Sequence, residues 1–159
     1  NLKGRTFEKQ IKDAFHRLEA FGVSRVGKSD NLTHSDKLAE KREMYLKDIE
    51  SKWNIDLSAL SNQGKAAKRF DFVIKTDKMI YAIETNFYGG GGSKLNETAR
   101  SYKMLSQEAD TIDGFTFVWF TDGIGWKSAR GNLRETFDVM DTIYSIDDME
   151  NEIIKKKLV

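Results

Sequence analysis

From Thr6 to Phe21 the apolar residues fall at Phe7, Ile11, Ala14, Phe15, Leu18 and Phe21, the spacing that gathers them on one stripe of a helix. Thr6 supplies an N-cap and Gly22 a stop. A second, highly charged helix is predicted over Ser35–Trp53, with Leu38, Tyr45, Leu46, Ile49 and Trp53 on its buried side. The stretches 22–34 and 54–65 are polar and rich in turn formers. Then the period changes from helical to β. Phe70–Lys75 (FDFVIK) and Met79–Asn86 (MIYAIETN) are strand-like runs separated by the turn signal Thr76-Asp77-Lys78. Gly89–Gly92 breaks the chain, Lys94–Ala109 resumes as a helix, and Phe115–Thr121 (FTFVWFT) is a short aromatic strand bounded by Gly114 and Gly123. Leu133–Tyr144 reads as a closing helix and Ile146–Leu158 as a weaker one. The order αα-ββ-α-β-α predicts an α/β chain of the mixed, α+β kind, with one central mixed sheet flanked by helices.

At 159 residues the chain is long enough for one domain with a single core, and the expectation is one domain over 1–159. It opens on Asn1, which leaves open a fragment of a longer chain. Three tryptophans, five tyrosines and ten phenylalanines are too many for a disordered chain. The absence of cysteine excludes disulfides, thiolate zinc sites and a cysteine nucleophile. The longest nearly unbroken apolar stretch, 114–120, is too short to span a bilayer, so no membrane association is expected. No export leader is read at the start, and a cytoplasmic location is expected.

Net charge is +1, but it is unevenly placed. Residues 65–103 carry eight basic and four acidic side chains, whereas 104–152 carry three and eleven. A basic central patch on an otherwise acidic chain favours a polyanion at one place; the plainer alternative is a set of solvated faces.

The chemistry concentrates in the predicted hairpin. If Asp77 and Lys78 make a two-residue turn, Thr76 pairs with Met79 and Asp71 falls opposite Glu84. Cross-strand neighbours sit about 5 Å apart, and like charges placed there repel. Flanked by Phe70, Phe72, Val73, Ala82 and Ile83, the two acids make sense around a hard divalent cation such as Mg²⁺. Removing either one is expected to leave the fold intact. Asn86 projects to the same face as Glu84. Next comes Tyr88-Gly-Gly-Gly-Gly-Ser-Lys94, a backbone able to approach a ligand closely and leading into a helix N-terminus that attracts anions. It is no nucleotide P-loop, which needs Gly-Lys-Ser/Thr where this loop ends Gly-Ser-Lys.

The stretch KRFDFVIKT…IYAIETNFYGGGGSKLNETARSYK, with the later FTFVWFTDGIGWKSARGNLRETFDVMDTIY, closely resembles the DpnII/MboI family of type II restriction endonucleases. The resemblance runs from about Asn54 to Glu150. It implies a PD-(D/E)xK restriction-endonuclease-like core, cleavage of double-stranded DNA at GATC, Mg²⁺ as cofactor, a prokaryotic host and, for a palindromic target, a homodimer. On that pattern Asp71 matches the first acid, although Phe70 replaces the usual proline, and Glu84 matches the second. Asn86 stands where lysine is usual. An amide orients a water but brings no charge to it, which leaves open whether Lys94 or a substrate phosphate oxygen activates that water. Asp71, Glu84 and the Thr85 carbonyl are expected to hold the metal, with Asp71, Glu84, Asn86 and Lys94 as the catalytic set. Lys68, Arg69, Gly91, Gly92, Ser93, Lys94, Asn96, Arg100 and Lys103 are expected at the DNA, Asn96 as a reader of adenine. Two other readings stay open: a nuclease of the same fold serving repair or phage defence, and a DNA-binding module without catalysis.

Other positions carry less. Glu8 resembles a further acidic position of the fold, a solvated helix carboxylate being the plainer reading. His16 reads as structural, and His34 has no evident partner. Phe117, Trp119 and Trp126 read as core. Lys127, Arg130 and Arg134 either meet DNA backbone or complement the acidic final third.

Overall fold

The computed structural model describes residues 24–25, 44–60, 69–76, 78–151, 153 and 157. The helix predicted over 6–21, with Glu8 and His16, lies outside the described residues, as do His34, Lys68 and Asp77. In chain order the elements are β1 (Ser24–Arg25), β2 (Met44–Tyr45), α1 (Leu46–Trp53), β3 (Arg69–Phe70), β4 (Phe72–Lys75) and β5 (Ile80–Phe87). Then follow α2 (Ser93–Ala109), β6 (Phe115–Asp122), a 3₁₀ segment (Ile124–Ala129), α3 (Arg130–Val139), β7 (Ile143–Tyr144) and α4 (Ile146–Glu150).

Five strands form one mixed sheet in the order β1-β4-β5-β6-β7, antiparallel through β5 and parallel from β5 to β7. The β4–β5 hairpin has the expected register: Phe72 faces Ile83, Lys75 faces Ile80, and the Thr76 N–H donates to the Met79 carbonyl at 2.8 Å. Parallel neighbours need a crossover, and α2 and α3 supply the two that carry β5 to β6 and β6 to β7.

Strand alternation divides the core. One face carries Val73, Ile80, Ala82, Phe115, Phe117 and Trp119 against Leu95, Ala99, Leu105 and Ala109 of α2, together with Ile49 of α1. The opposite face carries Phe72, Ile74, Ile83, Val118 and Phe120, packed with Met149 of α4. Because α2 and α3 both cross over, they lie parallel and are tied rung by rung. Asn132 donates to Asn96 at 2.7 Å, Thr136 to the Ala99 carbonyl at 2.9 Å, and Lys103 pairs with Glu135 at 3.8 Å.

Two helix predictions need correction. Met44–Tyr45, placed inside a helix over 35–53, is instead a strand paired with Arg69–Phe70. Tyr45 has extended angles, φ −82° and ψ 156°, and the helix begins only at Leu46. The closing helix runs Arg130–Val139 rather than 133–144, because Met140 turns extended and Ile143–Tyr144 joins the sheet beside Trp119 and Phe120. In both cases sheet pairing of β-branched or aromatic residues overrides a helical pattern.

Candidate active site

At Asp71 the chain leaves the β4–β5 ladder. Phe70, the residue that would come next opposite Thr85, pairs instead in the small β2–β3 ribbon. The Asp71 carboxylate takes over the vacated ladder position. Its Oδ2 accepts from the Thr85 N–H at 2.9 Å and from Thr85 Oγ1 at 3.2 Å, while Oδ1 has no partner among the described residues. In a strand the N–H and C=O of one residue point to the same side, so the Thr85 carbonyl faces the same opening.

Glu84 projects to the α2 face beside Ala82 and is only 7% exposed. Tyr102, from the middle of α2, donates to Glu84 Oε2 at 3.3 Å. Its ring packs edge-on against Phe117 and Trp119, with centroids 5.2 and 4.9 Å away. Burial first, then the negative charges of Glu84 and Asp71, push the Tyr102 hydroxyl well above the usual tyrosine range. Tyr102 is therefore a proton-bearing donor at any neutral pH, and both carboxylates lie close enough for it to sense them. The donor set of Asp71, Glu84 and the Thr85 carbonyl fits a hard divalent cation, since all its atoms are oxygen and one carboxylate oxygen is unclaimed. Among the described residues no group of three or more acids and histidines is assembled, so such an ion would keep open positions for other ligands.

Asn86, two residues on, faces β6. Its Oδ1 accepts from Trp119 Nε1 at 2.9 Å and Thr121 Oγ1 at 2.7 Å, and Trp126 Nε1 donates to Thr121 Oγ1 at 2.9 Å. Trp119 and Trp126 are core residues, as expected, but their indole N–H groups also serve this polar network. Sequence reasoning missed Tyr102 and Thr121. The signals were there: Tyr102 continues the buried stripe Leu95–Ala99, and Thr121 is opposite Asn86 in parallel register.

The glycine loop starts anchored. The Tyr88 N–H donates to the Asp122 carbonyl and its carbonyl accepts from the Gly125 N–H, both at 2.9 Å. Gly123, at φ +119°, lies so near that a Cβ there would sit 2.7 Å from the Tyr88 carbonyl carbon. Gly92 is the N-cap of α2, and neither it nor any acid in the first turn caps the helix with a side chain. Gly91, Ser93, Lys94, Arg100 and Arg69 are all exposed. Asn96 and Lys103 turn instead toward α3, where Asn132 and Glu135 meet them.

Beyond β6, Lys127, Arg130 and Arg134 line an open depression of about 800 Å³ with Ile124, Leu133 and Phe137. Arg134 is paired with Asp138 at 3.0 Å. Among the described residues no helix is long and apolar enough to cross a membrane.

A family model described as DpnII restriction endonuclease matches residues 3–156, nearly the whole chain. The chain belongs to that family. It is 53% identical over 114 residues to the type II restriction enzyme DpnII of Streptococcus pneumoniae, covering 72% of this chain and 40% of that protein. It is 41% identical over 102 residues to MboI of Moraxella bovis, covering 64% and 35%. To MjaIII of Methanocaldococcus jannaschii it is 36% identical over 113 residues, covering 69% and 38%. The chain thus spans two fifths or less of the length of these three curated relatives. No solved structure matches it.

Proposed function

We propose that this protein is a type II restriction endonuclease that hydrolyses double-stranded DNA at GATC, with Asp71 and Glu84 at the scissile phosphate. The observation that carries the reading is the break in the β4–β5 ladder. There the Asp71 carboxylate bonds Thr85, the residue after Glu84, and both carboxylates act on the Tyr102 hydroxyl, in a chain 53% identical to a type II restriction enzyme over its matched length. Asp71, Glu84 and the Thr85 carbonyl would hold a divalent ion, Mg²⁺ being the one their hard oxygens suit. Bound there, the ion supplies Lewis-acid polarisation of the phosphate and a lowered pKa for water.

The chain's own groups do the rest. Tyr102 fixes one oxygen of Glu84 and so orients the other. Thr85 does the same for Asp71 through two hydrogen bonds. The uncapped N-terminus of α2 leaves backbone N–H groups for a phosphate, and exposed Lys94 and Arg100 add positive charge near it. Water adds to phosphorus in line with the 3′-oxygen, leaving a 3′-hydroxyl and a 5′-phosphate. A palindromic target calls for two such sites related by a two-fold axis, hence a homodimer acting in the cytoplasm.

The test is a digest of unmethylated and adenine-methylated plasmid in Mg²⁺ with the product ends sequenced. Ends at GATC, absent on methylated plasmid, are expected. Cutting scattered over the plasmid would overturn the specificity, and no cutting at all would overturn the enzyme.

A further inference from the structure

Trp119 and Trp126 are donor-only side chains, and that fixes the direction of both indole protons around Asn86. The indole N–H of Trp126 is spent on Thr121 Oγ1, at 2.9 Å. Thr121 is thereby an acceptor from Trp126, and its own hydroxyl proton is free to go to the Asn86 oxygen 2.7 Å away. The Trp119 N–H reaches the same oxygen at 2.9 Å. An amide with its nitrogen in that position would face the Trp119 N–H, a donor that cannot reverse, so the side chain has one admissible orientation. Oδ1 is held against β6, and Nδ2 is turned away from it with no hydrogen bond to any described residue. The network is rigid as well as polar: Trp119 is fully buried, Thr121 and Trp126 are 7% and 6% exposed, and the two indoles pack edge to face at 5.6 Å.

We infer that Thr121, Trp119 and Trp126 form a positioning relay that locks Asn86 as a one-way hydrogen-bond donor, its Nδ2 presented to the attacking water or a non-bridging phosphate oxygen. The inference rests on the nuclease reading and deepens it. With both acceptor directions of Oδ1 filled, Asn86 takes no proton from the water. Its contribution is orientation alone, and the position is closed to a general-base role.

Thr121→Val keeps the shape of the side chain and deletes the hydroxyl; Thr121→Ser keeps the hydroxyl. Single-turnover cleavage of a GATC duplex, duplex affinity and the NMR signals of the indole N–H and Asn86 amide groups are measured on both proteins and the wild type. Thr121→Val is expected to cleave about tenfold or more slowly at unchanged affinity, as for loss of an interaction used in the transition state. Its Trp126 indole and Asn86 amide signals should move while that of Trp53 stays, and Thr121→Ser should match the wild type throughout. Wild-type cleavage by Thr121→Val, equal slowing in both variants, or an unmoved Asn86 amide would overturn the relay. A wild type that never cuts, with the signals moving as stated, overturns the nuclease reading and leaves the amide lock standing.

Discussion

The two sides of strand β5 are built on opposite principles. Toward β6 the polar atoms meet within the protein: Asn86 Oδ1 takes two donors and Thr121 Oγ1 bridges Trp126 to Asn86. Toward β4 the ladder is broken, and an oxygen of Asp71 is left without a partner among the described residues. An oxygen whose acceptor directions are filled is held in one geometry, whereas an oxygen left over at a half-buried site invites a ligand. One side of the strand is tied within the protein, and the other keeps a carboxylate oxygen open.

The largest effect should come from the open side. Glu84→Gln keeps the size of the residue and an acceptor for Tyr102, but removes the charge. Cleavage is expected to fall at least about 10³-fold, the several kcal/mol of charge stabilisation that a metal site supplies. A rate within tenfold of wild type would put the metal elsewhere. Asp71→Ala differs from the plain expectation of an untouched fold, because it also strips the Thr85 N–H of its acceptor. A loss of about 1–3 kcal/mol in urea unfolding is expected for that orphaned donor, and Asp71→Asn should restore most of it.

The closed side is sharpened by Gly123→Ala. A methyl group there meets the Tyr88 backbone at a φ that side chains avoid, so destabilisation of about 1–3 kcal/mol, read as a lowered Tm, is expected. An unchanged Tm would mean that the two loops are not clamped together.

Smaller effects separate the cations of α2. Lys94→Ala and Arg100→Ala should each reduce the slope of log affinity against log salt by about 1, as for a lost phosphate contact. Lys103→Ala should change it little, since Glu135 already answers that charge at 3.8 Å. Equal slopes for all three would refute the division.

The smallest effect is alkaline. Burial and two neighbouring carboxylates raise the Tyr102 hydroxyl above its ordinary 10.0. A raised folded value favours the protonated form, so its stabilisation is complete below pH 10 and is lost as pH rises toward the folded value. Tyr102→Phe should flatten the fall in stability above pH 10 seen in denaturant titrations.

Much of this was legible in the sequence for definite reasons. Period-two alternation in FDFVIK and MIYAIETN gave the hairpin register from Phe72–Ile83 to Lys75–Ile80. The departure of the chain at Asp71 was not legible, because it depends on Arg69–Phe70 pairing with Met44–Tyr45, 25 residues earlier. The Asn86 network was hidden for a similar reason. Trp119 and Trp126 read as apolar bulk, and only the parallel register of β5 with β6 turns their N–H groups toward one amide. Asn96 and Lys103 looked free because nothing in α2 itself announces the parallel packing of α3.

The central claim is that the opening at Asp71 holds the metal at the scissile phosphate. Its most direct test is cleavage of a GATC duplex as a function of Mg²⁺ concentration by the wild type and Asp71→Asn, with duplex affinity measured on both. The account predicts a wild-type rate that rises to saturation with Mg²⁺, and an Asp71→Asn protein that binds the duplex equally well and does not cut it at any concentration. An Asp71→Asn protein that reaches the wild-type rate at saturating Mg²⁺ would contradict it.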